Sequence, residues 1–304
     1  MPAQTPSPLT RRRMLQTAAA GLALPLVPLG APAARAVEGK TGPTSLVYVE
    51  VNDNALANAG RYTLASSGAP VFDVAVIFAG NINYDGTKAY VHLNTQVQAT
   101  LDAAATQIRP LQQRGTKVLL SILGNHQGAG VCNFPSREAA AAFAREVADV
   151  VRAYGLDGVD IDDEYAGYGA NGTGQPNDFS FVYFIEALRA ELPDAFLHLY
   201  YYGPVTTRTV YDGVQAGAFL SGSGNAIYGT YVVPQVPGLG AAQLSPAAVK
   251  LSETPASTAA SFAQRTVREG YGMFLTYDLR AGDQSGYVSG FTQQLYGEAA
   301  VYTP

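Results

Sequence analysis

The chain has 304 residues, 19 basic and 24 acidic side chains, and a formal net charge of −5. The first 36 residues hold four arginines and no acid, so the other 268 carry a net charge of −9, which argues against a protein that grips nucleic-acid phosphates with lysine and arginine. A single cysteine, Cys132, excludes an internal disulfide framework, and 19 tyrosines and 12 phenylalanines stand beside no tryptophan at all.

Residues 1–36 read as a twin-arginine-type signal peptide. Arg11-Arg12-Arg13-Met14-Leu15 leads into an apolar stretch from Ala18 to Leu29, and Ala34-Arg35-Ala36 offers a small-residue cleavage site. The expectation is a secreted protein with no membrane attachment after processing, since no second apolar run is long enough to span a bilayer. Residues 37–44 read as a flexible lead-in, and 45–304 as one folded domain, monomeric for want of any large interface motif.

From residue 46 the chain repeats one theme: a β-branched or aromatic run, a loop, then usually an alanine-rich amphipathic stretch. Strands are predicted at 46–51, 72–78, 117–123, 158–163, 196–202, 226–231, 247–251 and 272–279, mostly continuous apolar runs of the kind covered on both faces. Helices are predicted at 95–113, 137–154, 179–192, 256–270 and near 288–296. Ser136 and Asn177-Asp178 supply N-terminal caps, and Gly115 and Gly155 mark helix ends. The alternation implies an α/β fold, a single (β/α)8 barrel. It should be irregular, because 203–225 and 232–246 are rich in Gly, Pro, Ser and Thr and predict short or missing helices after strands five and six. A doubly wound sheet is the alternative, but no G-x-G-x-x-G follows the first strand. Chemistry in a barrel sits at the carboxyl ends of the strands. The long loops 80–94, 124–135 and 165–177 lie at that end, and Tyr84-Asp85-Gly86-Thr87 in the first is a hairpin signal.

The informative segment is Leu156-Asp157-Gly158-Val159-Asp160-Ile161-Asp162-Asp163-Glu164-Tyr165. Side chains alternate faces along a strand, so Asp160, Asp162 and Glu164 form one row, while Asp157, Ile161 and Asp163 have the opposite parity. Like charges so close cannot all ionise comfortably, and at least one carboxyl should hold a proton near neutral pH. A protonated carboxyl beside an ionised one is what glycosidic bond cleavage requires. An EF-hand loop counted from Asp160 would need glycine at the sixth position and glutamate at the twelfth, where Tyr165 and Asn171 stand. No histidine accompanies the row in sequence, so a zinc or di-metal hydrolase has little support, and neither metal nor cofactor is expected.

Asp157-x-x-Asp160-x-Asp162-x-Glu164 resembles the signature of the family-18 glycoside hydrolases, the chitinases and endo-β-N-acetylglucosaminidases. Segments 45–52, 72–78, 107–111, 119–128, 156–165, 243–249 and 270–277 are similar to the endoglycosidase-H-like members, and together they span essentially the whole mature chain. The resemblance implies hydrolysis of the β-1,4 bond between the two N-acetylglucosamines of N-linked glycans, of high-mannose or hybrid type, with one sugar left on asparagine. It implies that Glu164 is the general acid and that Asp162 orients the substrate's own acetamide as internal nucleophile. Asp160 would sit deeper and share a proton with Asp162. Tyr228 would contact the acetamide from strand six, Tyr277 would floor the −1 sugar, and Phe78, Asn125 and Tyr200 would line the cleft. His126 and Cys132 are expected to have no catalytic role.

Two departures bear on the sugar-gripping walls. Strand five reads Leu199-Tyr200-Tyr201-Tyr202-Gly203, where an asparagine is expected soon after the first tyrosine. Ser221-Gly222-Ser223-Gly224 stands where similar proteins carry bulky aromatics. The alternatives are a chitinase-type or other N-acetylglucosaminide hydrolase with the same mechanism, and a catalytically silent, lectin-like barrel. The complete acid row favours an enzyme over the latter.

Overall fold

The computed structural model describes residues 40–304. The signal-peptide segment lies outside the described residues. The near end of the lead-in is fastened rather than loose: Lys40 forms a 2.8 Å ion pair with Asp73 and donates to the Val71 carbonyl at 2.7 Å. Tyr296 Oη closes the same corner by donating to the Pro43 carbonyl at 2.8 Å.

Eight parallel positions organise the molecule: β1 (Thr44–Glu50), β2 (Val74–Tyr84), β3 (Lys117–Gly124), β4 (Gly158–Asp162), β5 (Phe196–Tyr201), β6 (Gly222–Asn225), β7 (Leu244–Ser245, resuming at Ala247–Lys250) and β8 (Met273–Tyr277). Each from β1 to β6 pairs in parallel with the next, and β8 pairs with β1. The two pieces of β7, separated only by Pro246, pair with β6 and β8 respectively, so the sheet curls back on itself in a barrel-like form. Proline lacks the N–H that a ladder needs, and the strand changes partner there.

The helices that cover the sheet are α1 (Thr95–Asp102), α2 (Arg137–Tyr154), α3 (Ser180–Glu191), α4 (Ala256–Arg268) and α5 (Ser285–Tyr296). In α2 the buried residues Ala140, Phe143, Ala144, Val147, Ala148 and Val151 recur at helical spacing. Ser136 Oγ accepts from Ala139 N–H, and Gly155 takes the left-handed conformation (φ 57°) that ends the helix. Asn177 Oδ1 caps α3 by accepting from Ser180 N–H at 2.9 Å. The helix predicted over 95–113 is broken at Ala103 and Ile108 into three pieces, the last with Pro110 in its first turn. Between β5 and β6, and between β6 and β7, the chain forms 3₁₀ turns and short two-residue strands.

Two buried clusters result. The larger lies between sheet and helices and takes Val159 and Ile161 from β4 and Leu197 and Leu199 from β5. The smaller lies inside the curl and contains Leu46, Tyr48, Val74, Val76, Leu119, Tyr200, Met273 and Leu275. Strand parity decides which residues go where.

One prediction is corrected. The sixth strand is 222–225, not 226–231; of the latter, only Thr230 and Tyr231 pair, antiparallel, with β7. Glycine and serine have low strand propensity, but space decides here: a Cβ on Gly224 would lie 2.5 Å from Leu275 Cδ1, and one on Gly222 2.4 Å from Met273 Sδ. Large residues of β8 fill the interior, and β6 must be small to pass them. The Tyr84-Asp85-Gly86-Thr87 hairpin forms as expected, with Ala89–His92 antiparallel to the end of β2.

Candidate active site

The register of the parallel strands builds the site. Ser121 of β3, Asp160 of β4 and His198 of β5 are direct neighbours, and one layer higher Asp162 lies beside Tyr200. Adjacent strands stand about 4.8 Å apart, so inward side chains in register touch. Ser121 Oγ donates to Asp160 Oδ2 at 2.7 Å. Tyr48 Oη reaches across from β1 and donates to Asp160 Oδ1 at 2.9 Å, and His198 Nδ1 lies 2.7 Å from the same oxygen. All four residues are essentially inaccessible to solvent.

Asp162 is different. It is 1% exposed, and neither of its oxygens has a hydrogen-bond partner among the described residues. Burial, then the charges of Glu164, Asp160 and Asp163, push its carboxyl well above the ordinary aspartate range. Of the three carboxyls in the row, Asp162 is the one that burial and like charge together push hardest toward the protonated form. Asp160, one layer deeper on the same face, acts on Asp162 through its charge.

Glu164 lies just beyond the end of β4, half-buried, and burial raises its carboxyl too while the adjoining Asp162 carboxyl opposes the rise. Its backbone is held by the neighbouring loop: Gly124 N–H donates to the Glu164 carbonyl at 2.9 Å, and Gly128 N–H to that of Ala166 at 2.7 Å. Tyr165, directly after it, adopts a left-handed conformation (φ 55°), as do His126 after Asn125 (φ 55°) and Asp278 after Tyr277 (φ 68°). Such backbone is costly for residues with a Cβ, and here it turns the chain sharply at three places on the rim.

Asp163, of opposite parity, is buried behind the site. Tyr168 Oη and Cys132 Sγ donate to its carboxylate, and Val205 N–H donates at 2.8 Å. Burial raises its pKa to about 6 against the pull of these donors. Cys132 is a free thiol, buried 3.2 Å from Asp163, and burial pushes it up out of the reactive range.

Four of the five residues predicted to line the cleft meet in one aromatic cluster. Tyr48 packs edge-on to Phe78 and Tyr200 at 6.1 and 5.7 Å between ring centroids. Tyr200 meets Tyr228 at 6.3 Å, Tyr228 stacks on Tyr277 at 5.2 Å, and Phe78 closes the set against Tyr277 at 5.8 Å. Tyr228 sits in the turn after β6, not on the strand, yet still arrives here. On its other side Tyr277 lines a cavity of about 420 Å³ with Glu50, Lys250, Asp278 and Arg280, so a charged rim adjoins the aromatic floor. Asn125 is tied instead to Asn83, donating to its Oδ1 at 2.8 Å, and His126 is exposed against Tyr165.

Tyr48, Ser121 and His198 had not been singled out in the sequence. The signal for His198 was available: it lies two residues before Tyr200 on a strand whose parity already pointed inward.

The geometry is that of a carbohydrate-cleaving site: a buried carboxyl, a half-exposed one beside it, and a tyrosine floor. Residues 48–204 match the model of glycosyl hydrolases family 18. The chain belongs to that family and is a glycoside hydrolase. An endo-beta-N-acetylglucosaminidase of Flavobacterium sp. (strain SK1022) is 55% identical over 275 residues, 90% of this chain and 87% of the relative. Endo-beta-N-acetylglucosaminidase F1 of Elizabethkingia meningoseptica is 32% identical over 270 residues, 84% of this chain and 79% of that protein. EndoBT-3987 of Bacteroides thetaiotamicron, solved in complex with Man9GlcNAc2Asn substrate, has a TM-score of 0.76 at 30% identity over 87% of this chain and 68% of that one. In its complex with Man5GlcNAc product the TM-score is 0.75 at 31% identity, and this chain spans 63% of that structure's length.

Proposed function

We propose that the protein, on a (β/α)8 barrel, hydrolyses the β-1,4 bond of the N,N′-diacetylchitobiose core of N-linked glycans, of high-mannose or hybrid type, and leaves one N-acetylglucosamine on the asparagine. The observation that carries the chemistry is Asp162: buried, without a hydrogen-bond partner, and flanked by Glu164. Membership of the family supports the bond type, and the Man9GlcNAc2Asn bound by the similar EndoBT-3987 supports a high-mannose glycan.

The pair Asp162–Glu164 stores one proton. At rest Asp162 holds it. When the substrate's acetamide N–H approaches Asp162, that hydrogen bond favours the Asp162 carboxylate, and the proton passes to Glu164. Glu164 then gives it to the leaving glycosidic oxygen while the acetamide oxygen bonds to the anomeric carbon and the glycosidic bond breaks. The tethered acetamide has a high effective molarity, so no enzyme nucleophile is required. Asp162, now charged, stabilises the positive oxazolinium ring. Water attacks the anomeric carbon, Glu164 takes its proton, and two displacements give retention of configuration. The reaction needs no cofactor.

The test is mass spectrometry after incubation with a high-mannose glycopeptide and, in parallel, a chitin oligomer. A peptide carrying a single N-acetylglucosamine supports the proposal. Released chitobiose with an untouched glycopeptide overturns it in favour of a chitinase. The twin-arginine start of the chain fits a secreted enzyme, which fractionation of the producing cells will check.

A further inference from the structure

The reaction uses Asp162 and Glu164, yet the carboxylate beneath them, Asp160, is fully buried and held by three side chains. It accepts from Ser121 on one oxygen and from Tyr48 on the other, where His198 Nδ1 also lies at 2.7 Å. A carboxylate ringed by donors is favoured in its charged form, and a partner this close and this dry outweighs any exposed one. We infer that His198 is a positioning residue that keeps Asp160 ionised and outside the proton traffic, so that the mobile proton is confined to Asp162 and Glu164. This inference rests on the catalytic roles given above to those two carboxyls.

For His198 to act this way, Nδ1 must carry a hydrogen, and the rest of the pocket agrees. Tyr48 Oη, 3.4 Å from Nδ1, is already committed to Asp160. Nε2 is buried with no hydrogen-bond partner among the described residues. An unpaired acceptor lone pair there costs less than an unpaired buried N–H, so the neutral Nδ1–H tautomer is the one the pocket tolerates. The titratable groups facing the His198–Asp160 pair are Tyr48 from β1, Asp162 from β4 and Tyr200 from β5. Ser121 of β3 adds a hydroxyl, β6 offers only Gly222 and Gly224, and β8 offers Met273 and Leu275. No group from these elements supplies a positive charge to Asp160, so its charge is held by hydrogen bonds alone. The site therefore has two levels: a fixed charge below, a movable proton above.

The experiment pairs kinetics with spectroscopy. In His198→Leu, Asp160 loses one strong donor, and the acid limb of the kcat–pH profile should move up by about one to two pH units, the equivalent of one hydrogen bond to a charged group. His198→Asn keeps a donor at the Nδ1 position and should return the limb toward the parent's. A histidine that merely filled space would lower kcat and melting temperature at every pH and leave the limb in place, which would overturn the inference. The chain has three histidines, so ¹⁵N-histidine labelling of the intact protein gives a readable spectrum, with His198 assigned by its loss in His198→Asn. A proton on Nδ1 that persists across the pH range supports the inference, and a bare Nδ1 overturns it. The spectrum needs no activity, so it decides the point even if the leucine variant does not fold or the glycopeptide proves not to be the substrate.

Discussion

The carboxylates in and around β4 divide by face, and the two faces treat them differently. On the outward side, Asp157 accepts from Gln112 Nε2 and from Val118 N–H at 2.8 Å each, and Asp163 accepts from Tyr168, Cys132 and Val205. On the inward side, Asp162 accepts nothing from its surroundings and Glu164 lies half-buried at the rim. Burial does not separate the two, since Asp162 and Asp163 are consecutive in sequence and 1% and 4% exposed. What separates them is the number of donors. A saturated carboxylate ties elements together, and a bare one is free to exchange a proton. Asp160 points inward but is saturated, and by this measure it belongs with the structural group.

The comparison can be broken by substitution. The largest effect is expected at Glu164: Glu164→Gln should lower kcat by about 10⁴-fold with an unchanged melting temperature, and undiminished turnover would remove Glu164 from the mechanism. Asp162→Asn should cost about 10²–10³-fold in kcat, again without loss of stability, because it removes a charge that the folded state does not use. Asp163→Ala should show the reverse pattern. It leaves Val205 N–H and the Tyr168 hydroxyl unpaired, and chemical denaturation should report a loss of about 2–4 kcal/mol. A stable Asp163→Ala protein would mean that donor count does not mark the structural carboxylates.

A pH series sharpens the same contrast. Asp163 has its pKa raised to about 6, above its unfolded value, so its contribution to stability is complete below the unfolded pKa and is lost as pH rises through about 6. Asp163→Asn should flatten unfolding free energy against pH in that window, and an unchanged curve would assign the slope to other groups. The smallest effect is expected at Tyr277. Tyr277→Phe keeps the ring stacked on Tyr228 and should change kcat/KM by only a few-fold, whereas Tyr277→Ala should raise KM.

Much of the site was legible because it is local. Asp160, Asp162 and Glu164 lie within five residues, and the two-residue period of a strand assigns their common face without knowledge of the partner strands. Tyr48, Ser121 and His198 were not legible in that way. They reach Asp160 across 112, 39 and 38 residues, through a register that exists only once β1, β3, β4 and β5 are side by side. The misplaced sixth strand has a related cause. Propensity favoured Ala226–Tyr231, but the interior beside Met273 and Leu275 admits only small residues, and that constraint comes from β8. The continuous helix predicted over 95–113 failed more simply, by underrating Pro110 and the break at Ala103.

The tyrosine floor also has an optical consequence. The chain contains no tryptophan, and Tyr48, Tyr200, Tyr228 and Tyr277 are gathered beside the carboxylates. A sugar seated on those rings will perturb tyrosine absorption and emission with no indole background from the enzyme. Any tryptophan in a glycoprotein offered to the enzyme can then be excited on its own at the red edge of its band, and both components of the mixture can be followed unlabelled in a single cuvette.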